Sequence, residues 1–105
     1  MRLTIHLAKV LAVFLSDVDT ARYGADLMEQ SGLGSGTIYP ILQKLQAAGW
    51  VSSEWEQEDP TELGRPVRRY YLLTPSGAQQ ARQCLAELHQ STAPAPVAGK
   101  VVRPA

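Results

Sequence analysis

Hydrophobic positions recur at helical spacing through the first half of the chain. This pattern predicts three helices, over residues 5–16, 21–30 and 36–48. Thr4 and Ser35 are expected to cap the first and third helices, and Gly32 and Gly49 to end the second and third. The first helix is apolar almost all round, so it needs cover from its own domain and from a second subunit.

Residue spacing gives the third helix two distinct faces. The predicted inner face carries Ile38, Ile41, Leu42 and Leu45. The opposite face holds a single charge, Lys44, and a proline. That proline removes one backbone bond, which costs little where the carbonyl faces water or a ligand.

The hydrophobic period changes from helical to two after Gly49, which predicts strands. A half-exposed strand is expected from Val51, an exposed hairpin loop over 58–66, and a return strand over 67–73. Thr74 should cap a fourth helix running to about residue 90. The predicted class is α+β and mostly helical, a winged helix-turn-helix over residues 1–73. Residues 74–90 would form a dimerisation helix, and 91–105 a disordered tail.

Charge is distributed unevenly along a chain whose formal net charge is zero. Up to residue 90 there are eight basic and ten acidic residues, and five of the acids lie between residues 54 and 62. No acid occurs over 31–50, and three arginines follow the acidic run. A neutral chain can therefore still present a basic face to nucleic acid.

Several kinds of chemistry find little support. The single cysteine, Cys84, cannot form an internal disulfide, and neither histidine has ligand-like spacing to it. We expect no metal, no cofactor, no catalytic residues and no membrane span, and therefore a cytoplasmic protein that is not an enzyme.

Three segments together resemble the PadR family of transcriptional regulators. They are SGTIYPILQKLQAAGWV (35–51), GRPVRRYYLLTPSG (64–77) and YGADL (23–27). The resemblance spans about residues 4–90 and implies a DNA-binding winged-helix dimer, usually a repressor, of the short form with a single C-terminal helix. The sequence departs from the family in having Ala25 after the glycine of the second helix and fewer basic residues in the third.

The motif places the third helix in the major groove and the wing on the backbone. The second helix, with Arg22 and Tyr23 at its start, would cross the phosphates. The predicted DNA-contacting residues are Arg22, Tyr23, Ser35, Gly36, Thr37, Tyr39, Pro40, Gln43, Lys44, Arg65 and Arg68. An alternative for the wing is that its arginines pair with Glu54, Glu56 and Glu58 across the hairpin.

A symmetric homodimer is expected from the apolar first helix and from a row of apolar residues along the fourth. Ala78, Ala81, Leu85 and Leu88 follow one another at intervals of three, four and three residues, as in a short coiled-coil seam. A helix packed on its own domain would use similar spacing. The predicted interface comprises Leu3, Leu7, Val10, Ala78, Ala81, Leu85 and Leu88.

The sequence therefore predicts a homodimeric regulator, a repressor by family resemblance, that binds a roughly palindromic operator in double-stranded DNA. An effector would bind between subunits, but no residue identifies it. The alternative is a winged-helix module that uses the same surface on a protein partner, which the near-neutral charge and single lysine of the third helix keep open.

Overall fold

The computed structural model describes residues 2–92, with side chains up to residue 88. Within this range the chain forms five helices and three strands. In order they are α1 (Ile5–Ser16), β1 (Arg22–Tyr23), α2 (Gly24–Ser31), α3 (Ser35–Ala47), β2 (Val51–Trp55), α4 (Pro60–Leu63), β3 (Arg69–Leu73) and α5 (Pro75–Thr92). The α+β winged-helix prediction is confirmed. Most of the predicted tail, from residue 93, lies outside the described residues.

Three of the predicted helix boundaries rest on the expected local chemistry. The Thr4 hydroxyl accepts a hydrogen bond from the Leu7 amide at 3.1 Å, and the Thr74 hydroxyl accepts one from the Gly77 amide at 2.9 Å. Gly32 ends α2 in the left-handed region with φ of 76°, where a residue without Cβ is favoured.

The predicted starts of α2 and α3 were wrong. Arg22 and Tyr23 are not helical, because they pair with Tyr71 and Tyr70 of β3 as an edge strand. The N-cap of α3 is Gly34, whose carbonyl accepts from the Ile38 amide at 2.9 Å. The residue predicted as that cap instead becomes the first helical residue.

The hydrophobic core forms where α1, α2 and α3 meet the sheet. The most deeply buried side chains are Val10, Leu11, Phe14, Leu27, Ile38, Leu42 and Leu45. The three from α3 belong to its predicted inner face, and Ile41 is half-buried beside them. The core therefore fixes the rotation of α3 and leaves its opposite face in solvent.

The three strands form an antiparallel sheet in the order β1-β3-β2. The wing is the hairpin of β2 and β3, with Val51 opposite Leu73 and Trp55 opposite Arg69. Its connection, predicted as an exposed hairpin loop, contains a helical turn, Pro60–Leu63, none of whose residues is buried. The Asp59 carboxylate caps this turn by accepting from the Thr61 amide at 2.9 Å.

The last helix packs on α1 of the same chain. Four residues predicted for the dimer interface, Leu7, Val10, Ala78 and Ala81, are at most 8% exposed within this single chain. The spacing that suggested an intersubunit seam therefore also builds an intrachain one, which leaves little of these four side chains for a second subunit. Leu3, Leu85 and Leu88 are only half-buried. No helix among residues 2–92 has the length and hydropathy needed to cross a bilayer.

Candidate DNA interface

The outer face of α3 is a solvent-exposed surface of small and polar groups. Of the predicted contact residues on α3, Thr37 is half-buried and the others are exposed. They are Ser35, Gly36, Thr37, Tyr39, Pro40, Gln43 and Lys44. The structure thus brings these predicted residues together on one side of one helix.

The polar side chains of this face are not used to hold the fold together. The side chains of Ser35, Thr37, Gln43 and Lys44 make no hydrogen bond or ion pair with any residue of the described part of the chain. Hydroxyl, amide and ammonium groups of this kind can bond to base edges and phosphates. The face therefore offers its full bonding capacity to a ligand.

Pro40 is tolerated because of where it lies on this face. It is the sixth residue of α3, and its missing N–H leaves the carbonyl of Gly36 without a helical donor. Both residues are exposed, so water or a bound molecule can satisfy that carbonyl. The proline thus marks the first turns of α3 as a solvent-facing or ligand-facing surface.

Arg22 does not lie where the sequence prediction placed it. Its side chain is 7% exposed, and its Nη2 donates to the Val13 carbonyl and the Ser16 hydroxyl, each at 2.9 Å. These acceptors belong to the last turn of α1, whose carbonyls lack helical partners. Arg22 is therefore a structural cap, and the prediction that it touches phosphate was wrong.

A single carboxylate, Glu56, joins the wing to β1. It accepts from the hydroxyl of Tyr23 at 2.8 Å and from the backbone amide of Arg68 at 2.8 Å. It also accepts from Arg65 at 2.7 and 3.0 Å, and its side chain is only 7% exposed. This hub fixes the hairpin relative to the rest of the fold.

Electrostatics at the hub follow from those bonds. The Arg65 guanidinium, together with the donors from Tyr23 and Arg68, holds the pKa of Glu56 at about 2. The same carboxylate raises the pKa of Arg65 and of the Tyr23 phenol. Glu56 therefore stays ionised, and it engages the side chains of two predicted contact residues, Tyr23 and Arg65.

Arg65 thus forms an ion pair with Glu56 across the hairpin, which is the alternative that the sequence left open for the wing arginines. With its charge matched by Glu56, it supports the wing and offers no free cation. The hydroxyl of Tyr23 is likewise engaged with Glu56. Neither residue has the unpaired polar groups that the α3 face has.

Two neighbouring arginines remain without an ion pair among the described residues. Arg68 is exposed, with its guanidinium 5.8 Å from the ring centre of Tyr23. Arg69 is also exposed and lies 5.7 Å from the ring centre of Trp55. Sequence reasoning placed Arg68 among the contact residues and left Arg69 out, because Arg69 was expected to face the same side as Val67 and Tyr71. In the structure Arg69 lies opposite Trp55 at the loop end of the hairpin, where it is exposed.

No group of three or more histidine, cysteine or carboxylate side chains in residues 2–92 is arranged to hold a metal ion. The features that stand out are the unpaired polar face of α3 and the two arginines of the wing. Both are suited to an extended anionic ligand rather than to a small metal-dependent substrate.

Comparison with known families decides the identity of this fold. The model of the transcriptional regulator PadR-like family matches residues 17–83. The chain belongs to the PadR-like family. Members of this family are transcriptional regulators rather than enzymes, so the winged helix of this chain is that of a DNA-binding transcriptional regulator. No curated protein sequence matches the chain.

Three solved structures share this fold, and two of them are PadR-family or PadR-like regulators. A PadR family transcriptional regulator from Eggerthella lenta is 28% identical, with a TM-score of 0.60, over 76% of this chain and 70% of that one. A PadR-like transcription factor from Bacteroides fragilis is 23% identical, with a TM-score of 0.63, over 81% and 82%. The protein smu.1704 from Streptococcus mutans is 26% identical, with a TM-score of 0.67, over 99% and 98%.

Proposed function

We propose that this PadR-like protein is a sequence-specific repressor that binds a roughly palindromic DNA operator as a homodimer in the cytoplasm. In this arrangement α3 enters the major groove, and the wing lies on the sugar–phosphate backbone. The observation that carries the proposal is the outer face of α3, where exposed polar side chains have no partner within the described chain.

The roles on α3 follow from its chemistry. Ser35 and Thr37 in the first turn can bond phosphate or bases near the free N–H groups of the helix start. Gln43 can make a bidentate contact to adenine, and Lys44 can meet guanine or phosphate. Because only one of these groups is charged, sequence would be selected by neutral hydrogen bonds and by shape.

The wing would supply the charge that α3 lacks. Arg68 is exposed and unpaired, whereas Arg65 is matched by Glu56. We therefore assign the phosphate contact to Arg68 and a supporting role to Arg65. The sequence had placed both arginines among the contact residues.

The dimer is proposed on the apolar surface that the single chain leaves uncovered. Ile5 is 61% exposed at the start of α1, and Leu3 and Leu85 are half-buried at the edge of the core. A symmetric interface over these residues would cover them and would set two α3 helices against two half-sites.

The test is a titration of labelled duplex from the region upstream of the protein's own gene, followed by fluorescence anisotropy at several salt concentrations. Lys44→Ala and Arg68→Ala should each reduce the slope of log affinity against log salt by about 0.9, the value for one phosphate contact. Arg82→Ala, an exposed change on α5, is the matched control and should leave the slope unchanged. Equal slopes in all four proteins would contradict the assignment.

One observation favours a second candidate function. The α3 face carries a single cation, and the net charge of the chain is zero, so the same surface could dock on a protein. This winged-helix interaction module would show no anisotropy change with any duplex at low salt, whereas the regulator would bind detectably even to unrelated DNA there.

A further inference from the structure

A groove of about 470 Å³ runs between the first turns of α3 and the loop end of the wing. Four of its nine lining residues are aromatic, and its rim carries two cations. The residues that matter are Tyr23, Tyr39, Trp55, Arg68, Arg69 and Tyr71. No carboxylate lines it, so the groove is positively charged as well as apolar.

Exposed aromatic side chains are concentrated here. Among the described residues only three large hydrophobic side chains are exposed, and two of them, Tyr39 at 43% and Trp55 at 53%, line this groove. They come from different elements, α3 and β2, and about half of each remains in solvent. Large aromatics left together in solvent mark a binding surface more often than isolated ones do.

Both rim arginines are held in place before any ligand arrives. Arg69 donates from Nε and Nη2 to the Ser53 hydroxyl at 2.9 and 2.6 Å, and its guanidinium lies over Trp55. Arg68 lies over Tyr23. Since neither arginine is in an ion pair, each presents a positioned charge that loses little freedom on binding.

The position of Tyr39 depends on a residue of α2. A Cβ placed at Gly24 would lie 3.0 Å from Cζ and 3.2 Å from Cε1 of Tyr39, and it would clash with the Tyr39 hydroxyl. The ring of Tyr39 therefore lies directly over the backbone at the start of α2. Gly24 permits that close approach and so helps to keep the groove open.

We propose that this groove seats the sugar–phosphate backbone of one DNA strand, as the duplex passes from α3 to the wing. Deoxyribose would pack against Tyr39 and Trp55, and successive phosphates would meet Arg69 and Arg68. The inference rests on the proposed function, since Tyr39 belongs to the proposed recognition helix. It adds a backbone seat in which aromatic contact and charge act together.

The apolar and cationic groups of the groove match the chemistry of a DNA strand. A nucleic-acid strand presents apolar sugar faces and anionic phosphates in repeated order, and the groove pairs aromatic walls with cations. The groove is also continuous with the unpaired face of α3, so a strand that contacts Thr37 or Pro40 can extend into it. A protein segment would need a negative charge at the rim and would not explain that continuity.

The test measures both affinity and burial, with a duplex that the wild-type protein selects from a random-sequence pool. Arg69→Gln should lower the salt slope by about 0.9. Trp55→Ala should weaken binding about tenfold, equivalent to about 1.4 kcal/mol, with the slope unchanged. Gly24→Ala should also weaken binding without changing the slope. Arg82→Gln is the control for the first variant, and melting temperatures verify folding.

Acrylamide quenching of tryptophan fluorescence shows directly whether the groove is occupied. Trp55 is exposed and Trp50 is only 9% exposed, so quenching in the free protein reports mainly on Trp55. Saturating duplex should protect that signal. If the duplex binds yet quenching and the variant affinities are unchanged, the groove proposal fails while the proposed function stands.

Two other results would be decisive. If the wild-type protein binds no duplex at low salt, the proposed function fails, and the groove proposal fails with it. If benzoate, used as a probe for small planar anions, protects Trp55 while bound duplex does not, the groove belongs to a small ligand and the backbone seat is overturned.

Discussion

Arg22 and Arg68 lie in the same small sheet region but should respond oppositely to the same substitution. Replacing either residue with methionine removes a guanidinium and keeps an unbranched apolar stem. Arg22 is 7% exposed and donates to Val13 and Ser16, whereas Arg68 is exposed and has no ion pair. Arg22→Met should therefore destabilise the fold, and Arg68→Met should weaken DNA binding.

The magnitude for Arg22 follows from its bonds. A hydrogen bond to a charged group contributes roughly 1.5–3 kcal/mol. The buried carbonyl of Val13 would lose the donor from Arg22 and keep only the one from the Ser16 hydroxyl. Allowing for non-additivity, Arg22→Met should lower the free energy of unfolding by about 3 kcal/mol. That corresponds to a fall of roughly 12–24 °C in melting temperature for a domain of this size. Arg68 offers only a contact over the Tyr23 ring, so its loss should cost less than about 1 kcal/mol.

Urea and thermal unfolding measure the first effect, and anisotropy against salt measures the second. Below its melting temperature, Arg22→Met should retain the wild-type salt slope, whereas Arg68→Met should lose about 0.9. An Arg22→Met protein that is as stable as the wild type but has a reduced slope would refute the assignment. That result would instead support the contact between Arg22 and a phosphate that the sequence predicted.

Four further outcomes are expected. Glu56→Gln should weaken DNA binding by releasing the wing, although it removes a negative charge. Glu54→Gln, an exposed change on the neighbouring strand β2, should leave affinity unchanged or higher in the same anisotropy assay. The pKa of Glu56 is lowered from its ordinary value of 4.5 to about 2. The stabilisation of the fold by its carboxylate should therefore be complete above pH 4.5 and be lost as pH falls toward about 2. Urea unfolding of the wild type and of Glu56→Gln across this pH range measures the loss. Gly77→Ala should lower stability by about 1–3 kcal/mol in thermal unfolding, since its Cβ would lie 2.6 Å from the carbonyl carbon of Trp50. Leu85→Glu should convert a dimer to an 11.4 kDa monomer in light scattering; a wild-type protein that is already monomeric would contradict the proposed dimer.

Sequence reasoning succeeded where a local signal determines the structure. Thr4 and Thr74 have side chains that can cap the helices after them, and both do. The inner face of α3 follows from residue spacing, because the buried positions Ile38, Leu42 and Leu45 recur at intervals of three or four. These features depend on neighbours in the chain rather than on distant contacts.

Sequence reasoning failed where the contacting residue is remote in the sequence. Arg22 and Tyr23 read as the start of a helix, but pairing with β3, almost fifty residues away, draws them into a sheet. The start of α3 shifted by one residue because Gly34, rather than Ser35, has the extended backbone of an N-cap, and no side chain caps this helix. The 3-4-3 spacing of α5 could not distinguish an intersubunit seam from packing on α1.

The residues of the candidate DNA interface likewise divide into those that local spacing predicts and those that depend on distant contacts. The exposure of Gln43 and Lys44 follows from the faces of α3 and was predictable from spacing. The pairing of Arg65 with Glu56 was one of two arrangements compatible with the sequence, and only the folded hairpin decides between them. Arg69 required the register of β2 against β3, which the sequence does not specify.

The central claim is that the outer face of α3 reads DNA sequence. Selection of duplexes from a random-sequence pool by the full-length protein, followed by sequencing of the bound fraction, tests this most directly. The account predicts enrichment of one roughly palindromic motif for the wild type, and a changed preference at matching positions of both half-sites for Gln43→Ala. Retention of duplexes with no enriched motif, or of none at low salt, would contradict it.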